Sequence, residues 1–466
     1  MRVLNNLQPQ DVFRYFAEIS AVPRPSGYPQ AIGSFCEAFA KAHALRYIRD
    51  KAGNVVMFKD GDSRKEPVIL QGHLDMVCVC EPEVRIDFRR DPIPLATDGE
   101  YVFAEGTSLG ADDGIAVAMI LALLASDTTG LPPIEAVFTM DEETSMRGAS
   151  ELDTSVLRGR RMLNLDSEAD GKFWVSCAGG ERAVVTRRLQ AESNADACLL
   201  VRLFGFLGGH SGTEIDKGRL NAVLCMAQAL RDVSGVRIAS LTGGKVDNAI
   251  PSECEAVIAG DRNAIETAFR ANADTWRETE PNVRLHITNT AAERLVTAES
   301  TRELLELLAA LPNGVQSWSR EIEGFVETSL NLGVCAVDTD AAQMHYSVRS
   351  GVDAERDALA ERVKKIAADH GGVCETHGAY PAWQYRKDSP LRDAAARAYE
   401  ARFGSAPEIE SIHAGLECGL FCGKIPDLDC ISLGPDILDI HSPKERLSVS
   451  SAARTYALLW DILKLL

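Results

Sequence analysis

Residues 106–114 read GTSLGADDG and run straight into IAVAMILALLA at 115–125. So unbroken an apolar run is carried only by a buried helix or strand. Two adjacent carboxylates, Asp112 and Asp113, therefore stand between glycines at the mouth of a buried element. An unpaired carboxylate in such a place is strongly destabilising or shifts its pKa, and its escapes are a bound cation, a helix N-terminus or solvent. Taken alone, the pair reads as the N-cap of a helix beginning near Gly114. Elsewhere in the chain, further apolar runs also end in His, Asp or Glu, and that company favours the cation.

Working outward, PVILQGHLDMV at 67–77 is a short apolar run suited to a strand buried on both faces. It ends in His73 and Asp75, which are two apart and so face the same side of an extended chain. At that spacing a carboxylate can fix the tautomer of a metal-binding imidazole, although a lone His at a strand end is commonly structural. After a hairpin expected at 96–106, a second buried strand, IEAVFTM at 134–140, exits into Asp141, Glu142 and Glu143. A third, in RMLNLDSEAD at 161–170, delivers Asp166 and Glu168. Three acids at a strand exit also suit a solvated turn. In an open, mostly parallel sheet, however, ligands gather beyond the carboxyl ends of the strands, and three successive strands bring acids or His to that edge.

With 466 residues the chain exceeds one ordinary core, so two domains or a discontinuous arrangement are expected. Its 45% hydrophobic and 25% charged content is that of a globular protein. No apolar stretch approaches the roughly 18 residues of a membrane span, and the first residues lack a signal-peptide pattern, which points to the cytoplasm. The formal charge of -19 argues against nucleic acid or anionic membrane as a partner. Twelve scattered cysteines read as reduced thiols. Cys78 with Cys80, and Cys418 with Cys422, lack the spacing of a structural zinc site.

From about 187 to 382 the texture changes to strands and helices of an α+β unit, in two similar passes. This stretch carries His210 in GGHSG, Asn248 in DNAIP, Asn331 in SLNLG and Arg349 in YSVRSG, each also readable as a turn former or surface group. The first texture then returns, with Gly415 in the Gly-rich stretch at 410–424 and an apolar segment ending at His441. His441 would close a metal site if this segment joins the N-terminal sheet. The expected architecture is α/β: a discontinuous catalytic domain, 1–186 and 383–466, with a mixed, mostly parallel sheet between helices, and an inserted α+β lid at 187–382.

In order, GHLDMV, GTSLGADDG, DEET, LDSE, GGHSG, HAGLECGLF and the final HSP resemble the two-metal metallopeptidase family that includes aminoacylase and glutamate carboxypeptidase. Within it, the chain more closely resembles the aminoacyl-histidine dipeptidases, also described as cytosolic nonspecific or carnosinase-like. The resemblance implies that His73 and Asp166 bind one ion and Glu143 and His441 the other, with Asp112 bridging through a cis Asp112–Asp113 peptide. It further implies Glu142 as general base, Asp75 as the orienter of His73, His210 as the group that polarises the scissile carbonyl, and Arg349 as the holder of the substrate carboxylate. Asn248, Asn331 and Gly415 are further candidates for substrate binding. Ser145 departs from the family pattern, which has Gly there. The residue types suit two zinc ions, with cobalt or manganese as alternatives, and together they lower the pKa of water and polarise a carbonyl. The implied activity is hydrolysis of dipeptides, Xaa-His and broader, β-Ala-His among them. An N-acyl amino acid deacylase is the alternative, and a non-catalytic metal-binding protein is a more distant one. Small peptides are the expected partners, and the sequence leaves monomer and homodimer open.

Overall fold

The structure, a computed structural model, describes residues 3–466. The chain divides into two compact units: Met1–Ser176 with Tyr385–Ser411 and Leu416–Leu466, and Cys177–Gln384 with Ile412–Gly415. The expected break at 187 falls inside the strand Gly179–Arg188, which pairs on one side with Ala341–Ser350 and on the other with Val373–Tyr380. Those pairings assign the strand to the second unit.

The first unit is built on a mixed sheet with strands in the order Arg46–Arg49, Val55–Lys59, Ile134–Thr139, Val68–His73, Arg161–Asn164, Asp429–Ser432, Lys172–Cys177 and Glu408–Ile412. The four strands from Ile134–Thr139 to Asp429–Ser432 run parallel. Val68–His73 and Ile134–Thr139 are buried at every position. That burial is why their sequences are continuous apolar runs and not alternating ones. The helix Ala111–Ala125 is buried on all sides as far as Leu124 and packs against the helix Gln10–Ser20 and the strand Val68–His73. A helix without a polar face must lie inside a core, and this one forms the centre of the first unit's core. The expected hairpin is present as Leu95–Thr97 paired with Tyr101–Ala104, extended by Arg446–Ser448 and Ile437–Leu438 from near the C-terminus. This small sheet carries the chain to His441.

The second unit is organised on an antiparallel sheet. One half is Arg284–Thr290, Cys198–Phe204, Cys254–Ala259 and Arg237–Gly243; the other is Val326–Val337, Ala341–Ser350, Gly179–Arg188 and Val373–Tyr380, with Gly314–Trp318 beside Val326–Val337. The halves join where Leu241–Gly243 pairs with Cys335–Val337. The helices Ala222–Arg231, Arg262–Trp276, Ala298–Ala310 and Asp353–Asp369 contribute to its core. Among the described residues, no helix is long and apolar enough to cross a membrane.

Candidate metal centre and active site

Parallel strands side by side end at one edge of a sheet, and three of them deliver the site. His73 closes Val68–His73, Glu142 and Glu143 follow Ile134–Thr139, and Asp166 follows Arg161–Asn164. Asp112 and Asp113 arrive from the buried helix, where both have non-helical backbone angles and the peptide between them is cis, as the resemblance implies.

Asp112 sits between two groups of side chains that could hold a metal ion. Its Oδ1 lies 3.0 Å from His73 Nε2, which is 3.6 Å from Asp166 Oδ1. Its Oδ2 lies 3.2 Å from His441 Nε2, which is 2.9 Å from Glu143 Oε2. In each triad the ligand atoms lie within 4.8 Å of one another. The first triad is buried, whereas the His441 side chain is 48% exposed. Among the described residues, the cysteines join no such group.

His73 Nδ1 lies 3.1 Å from the Asp75 carbonyl oxygen, a partner that can only accept. Nδ1 therefore carries a proton, and Nε2 faces Asp112 and Asp166 as the atom free to meet a cation once the ring is neutral. Asp75 is itself fixed: the Ser26 hydroxyl donates to one of its oxygens at 2.7 Å and the Glu142 amide to the other at 3.1 Å. It thus ties the orientation of His73 to the position of Glu142. Asp113 accepts the His73 amide at 3.0 Å, and a Cβ on Gly72 would stand 2.5 Å from its carboxylate, so Gly72 leaves the room this approach needs.

The electrostatics of the pocket conflict. Burial opposes protonation of His73, yet Asp166, Asp112 and Asp75 outweigh it and raise its pKa well above the usual value. Hydrogen bonds to Asp112 and Glu143 raise His441 to about 10. Burial, reinforced by neighbouring carboxylates, pushes Asp113, Asp166 and Glu142 far above the carboxylate range and brings Glu168 to about 7. Asp112 runs the other way: burial opposes its ionisation, but hydrogen bonds from His441 and His73 hold it low. Glu143 Oε1 is buried without a partner. Acids that must take up protons, beside histidines that must carry charge, form a set that divalent cations would satisfy. The residues present therefore fit a metal centre.

Sequence reasoning missed several residues here. The helix beginning at Ala111 has no side-chain cap of its own. Its N-terminal amides at Leu109, Gly110, Ala111 and Asp112 all donate to Glu445, at 2.8, 2.9, 2.7 and 3.2 Å. Arg24 is buried and donates to the carbonyls of Leu74 and Asp75, both at 3.1 Å, and to that of Gly110. Glu417 is fully buried, accepts from Gln71 and Thr139 at 2.6 Å each, and is raised to about 7 by burial. Glu417 stands in a motif quoted in full, and its position at the start of a helix after a Gly-rich turn was the one signal available.

His210, Asn248, Asn331, Arg349 and Gly415 all belong to the second unit. His210 Nδ1 accepts the amides of Gly212 and Thr213 at 3.2 and 3.1 Å, which leaves its proton on Nε2 as a donor. Burial and the Arg349 charge lower its pKa, so the ring is neutral. Arg349 is buried, donates to the Tyr380 hydroxyl at 3.2 Å and keeps Nε unpartnered; among the described residues it forms no ion pair. Asn331 spends its amide on the carbonyls of Asp247 and Ala249 and leaves its buried Oδ1 free of partners. Asn248 is exposed, and its carbonyl accepts the Ser211 amide at 2.8 Å. Gly415 lies against Tyr380, where a Cβ would come within 2.8 Å of the ring. His413, not anticipated, is buried with Nε2 2.7 Å from the Ser329 hydroxyl and Nδ1 unpartnered, and burial lowers it to about 3.

Residues 69–464 match the family described as Peptidase family M20/M25/M40. The chain is 34% identical over 481 residues to the cytosol non-specific dipeptidase of Escherichia coli strain K12, covering 100% of this chain and 99% of that protein. Its fold is similar to the crystal structure of aminoacylhistidine dipeptidase from Vibrio alginolyticus, with a TM-score of 0.90 and 32% identity over 99% of this chain and 97% of the other. It shares its fold more loosely with aminopeptidase PepT from Bacillus cereus, with a TM-score of 0.57 and 15% identity over 98% and 99% of the two chains.

Proposed function

This chain belongs to peptidase family M20/M25/M40, and we propose that it is a dipeptidase whose centre holds two divalent ions, most suitably zinc, with cobalt or manganese as alternatives. The observation that carries this reading is the division of Asp112, one oxygen toward His73 and Asp166 and the other toward His441 and Glu143. His73, Asp166 and Asp112 would hold one ion, and Glu143, His441 and Asp112 the other. Bound there, such ions lower the pKa of water and polarise a carbonyl.

The protein's own groups supply the rest. Glu142, adjacent to Glu143, is assigned as general base: ionised once bound cations offset the burial that raises its pKa in their absence, it would take a proton and pass it to the leaving amine. Asp75 orients His73 and holds the Glu142 amide, so base and ligand keep one register. Neutral His210, with its proton on Nε2, is suited to donate to a carbonyl oxygen that gains charge. Arg349 is assigned to the free carboxylate of the substrate, because a buried guanidinium without a carboxylate partner is ready to receive one. Asn331, with its unpartnered oxygen, together with Asn248 and Gly415 completes the assigned substrate contacts. We also assign the protein to the cytoplasm, and sedimentation decides between monomer and homodimer.

The test is a panel of dipeptides, tripeptides and N-acetyl amino acids offered to metal-free protein with zinc, cobalt or manganese added back. Dipeptides, Xaa-His among them, are expected to be cleaved only with metal. Faster cleavage of the N-acetyl compounds would identify a deacylase, and no turnover of any substrate would identify a metal-binding protein without catalysis.

A further inference from the structure

We propose that Glu445 and Arg24 are positioning residues that set the two metal triads separately, Glu445 the triad of Glu143 and His441 and Arg24 the triad of His73 and Asp166; the inference rests on the two-metal reading above. Both side chains are 2% exposed, and neither is offered as a ligand.

The argument begins with the turn that presents Asp112. Its backbone is irregular, with Gly110 left-handed at φ 68° and Asp112 and Asp113 outside helical angles, so no regular hydrogen-bond ladder fixes where the bridging carboxylate points. Two buried charges fix it instead. Glu445 takes four consecutive amides of the turn, and Arg24 takes the Gly110 carbonyl. Each reaches the turn from a segment that supplies or orients a ligand of one triad. Glu445 lies four residues beyond His441, and the intervening chain has its own turn, with the Ser442 hydroxyl donating to the Asp439 carbonyl at 2.7 Å and the Glu445 amide to the Ser442 carbonyl at 3.2 Å. Gripping the turn therefore hangs the His441 loop on Asp112. Arg24 donates at the same time to the carbonyls of Leu74 and Asp75, the second of which also faces His73 Nδ1. It locks the turn to the end of the His73 strand.

The glycines of GADDG fit this assignment. A Cβ on Gly114 would stand 2.6 Å from the Arg24 guanidinium, and one on Gly110 would stand 2.7 Å from Met76 Sδ, with the guanidinium nearer still. The glycines that frame the acidic pair leave space for Arg24. A Gln at 445 would turn an NH2 toward amides that need an acceptor, leaving buried donors unpaired. Groups that orient ligands from behind are worth about 10–100-fold in metal affinity.

The experiment is zinc titration of metal-free protein by calorimetry, on the wild type, Glu445→Gln, Arg24→Met and His441→Ala, with thermal unfolding of each. His441→Ala is expected to keep one ion and so to report the affinity of the first triad. Glu445→Gln should bind the ion of Glu143 and His441 about tenfold or more weakly and the other ion, which shares only Asp112 with it, distinctly less so. Arg24→Met should weaken the ion that His441→Ala keeps. If Glu445→Gln does not fold, Glu445→Asp, one methylene short of the turn, carries the same test. Equal weakening of both ions in step with lost thermal stability, or no weakening of either, overturns the assignment. A wild type that binds one ion or none overturns the two-metal reading itself.

Discussion

The two halves of the proposed metal centre share Asp112 but are built by different means. In the inner half, His73 and Asp166 stand at or just beyond the ends of parallel strands whose register is set by the sheet, and their side chains are buried. In the outer half, Glu143 follows Asp141 at φ 60°, and His441 has φ 58°, close to Asp439 at 55°. Left-handed angles at non-glycine residues cost about 1 kcal/mol each and persist where surroundings impose them. The surroundings here are side chains from distant segments: Asn54 accepts the Met140 amide at 3.1 Å, Asp141 accepts the Gly27 amide at 2.5 Å, and Glu445 holds the His441 loop. A strand end positions a ligand through its ladder, whereas a loop must be tied by buried polar groups. The inner half should therefore be the more robust of the two.

The sharpest separation of chemistry from metal holding comes at the neighbours Glu142 and Glu143. Glu142→Gln should keep both ions yet lose about two to four orders of magnitude in kcat, the range for removing a general base. Near-normal turnover with both ions bound would refute the assignment. Arg349 lies in the second unit and in neither triad, so Arg349→Ala should leave metal content intact. It should lower kcat/KM for a dipeptide by about 10–100-fold, the worth of a charge-assisted hydrogen bond of about 1.5–3 kcal/mol, and hardly change the rate on the dipeptide amide. Equal losses on the two substrates would sink the carboxylate role. For the comparison itself, a mild chelator should strip the outer ion first, leaving a one-ion protein whose metal is held about tenfold or more tightly. Simultaneous loss would show that the halves do not differ.

The same contrast explains what could be read from the chain. His73, Asp112, Glu143 and Asp166 announce themselves because each adjoins an apolar run, and a buried run that ends in a His or a carboxylate is a local signal. His441 was placed only through its HSP turn and the resemblance of the whole chain to a family. Glu445 and Arg24 were invisible, since a carboxylate among surface-like residues at 444–446 gives no sign of gripping a turn some 335 positions earlier. For the same reason the acidic pair was first readable as an N-cap, although the helix is capped from the far end of the sequence. In the second unit the two passes of strands and helices were legible from their periodicity. His413 was not, because a single histidine in a Gly-rich stretch carries no pattern.

The smallest effect concerns Glu417, which underlies the inner half. It accepts from Gln71, on the strand that ends in His73, and from Thr139, on the strand that leads to Glu142. Burial raises it from 4.5 to about 7 in the fold, with Asp75 adding to the effect, while the hydrogen bond from Thr139, the His73 charge and Gln71 only partly offset it. The folded chain therefore holds this proton more tightly than the unfolded chain does. Below pH 4.5 both states are protonated, and the contribution to stability is fully present. As pH rises from 4.5 the unfolded state releases its proton first, so stability declines until the folded group also ionises near pH 7. A rise of this size corresponds to about 3 kcal/mol at most. Glu417→Gln keeps an acceptor for Gln71 and Thr139 but has no proton to lose. In metal-free protein its unfolding free energy relative to wild type should therefore climb between about pH 4.5 and pH 7, the interval in which the two states differ in protonation, and level off above it. With both ions bound the climb should shrink, because their charge favours the ionised carboxylate. A difference that stays flat with pH in the metal-free protein would mean that Glu417 titrates as an ordinary carboxylate. A difference that falls as pH rises toward 4.5 would mean that the fold stabilises its charge, and the inner half would then owe its robustness to the sheet alone.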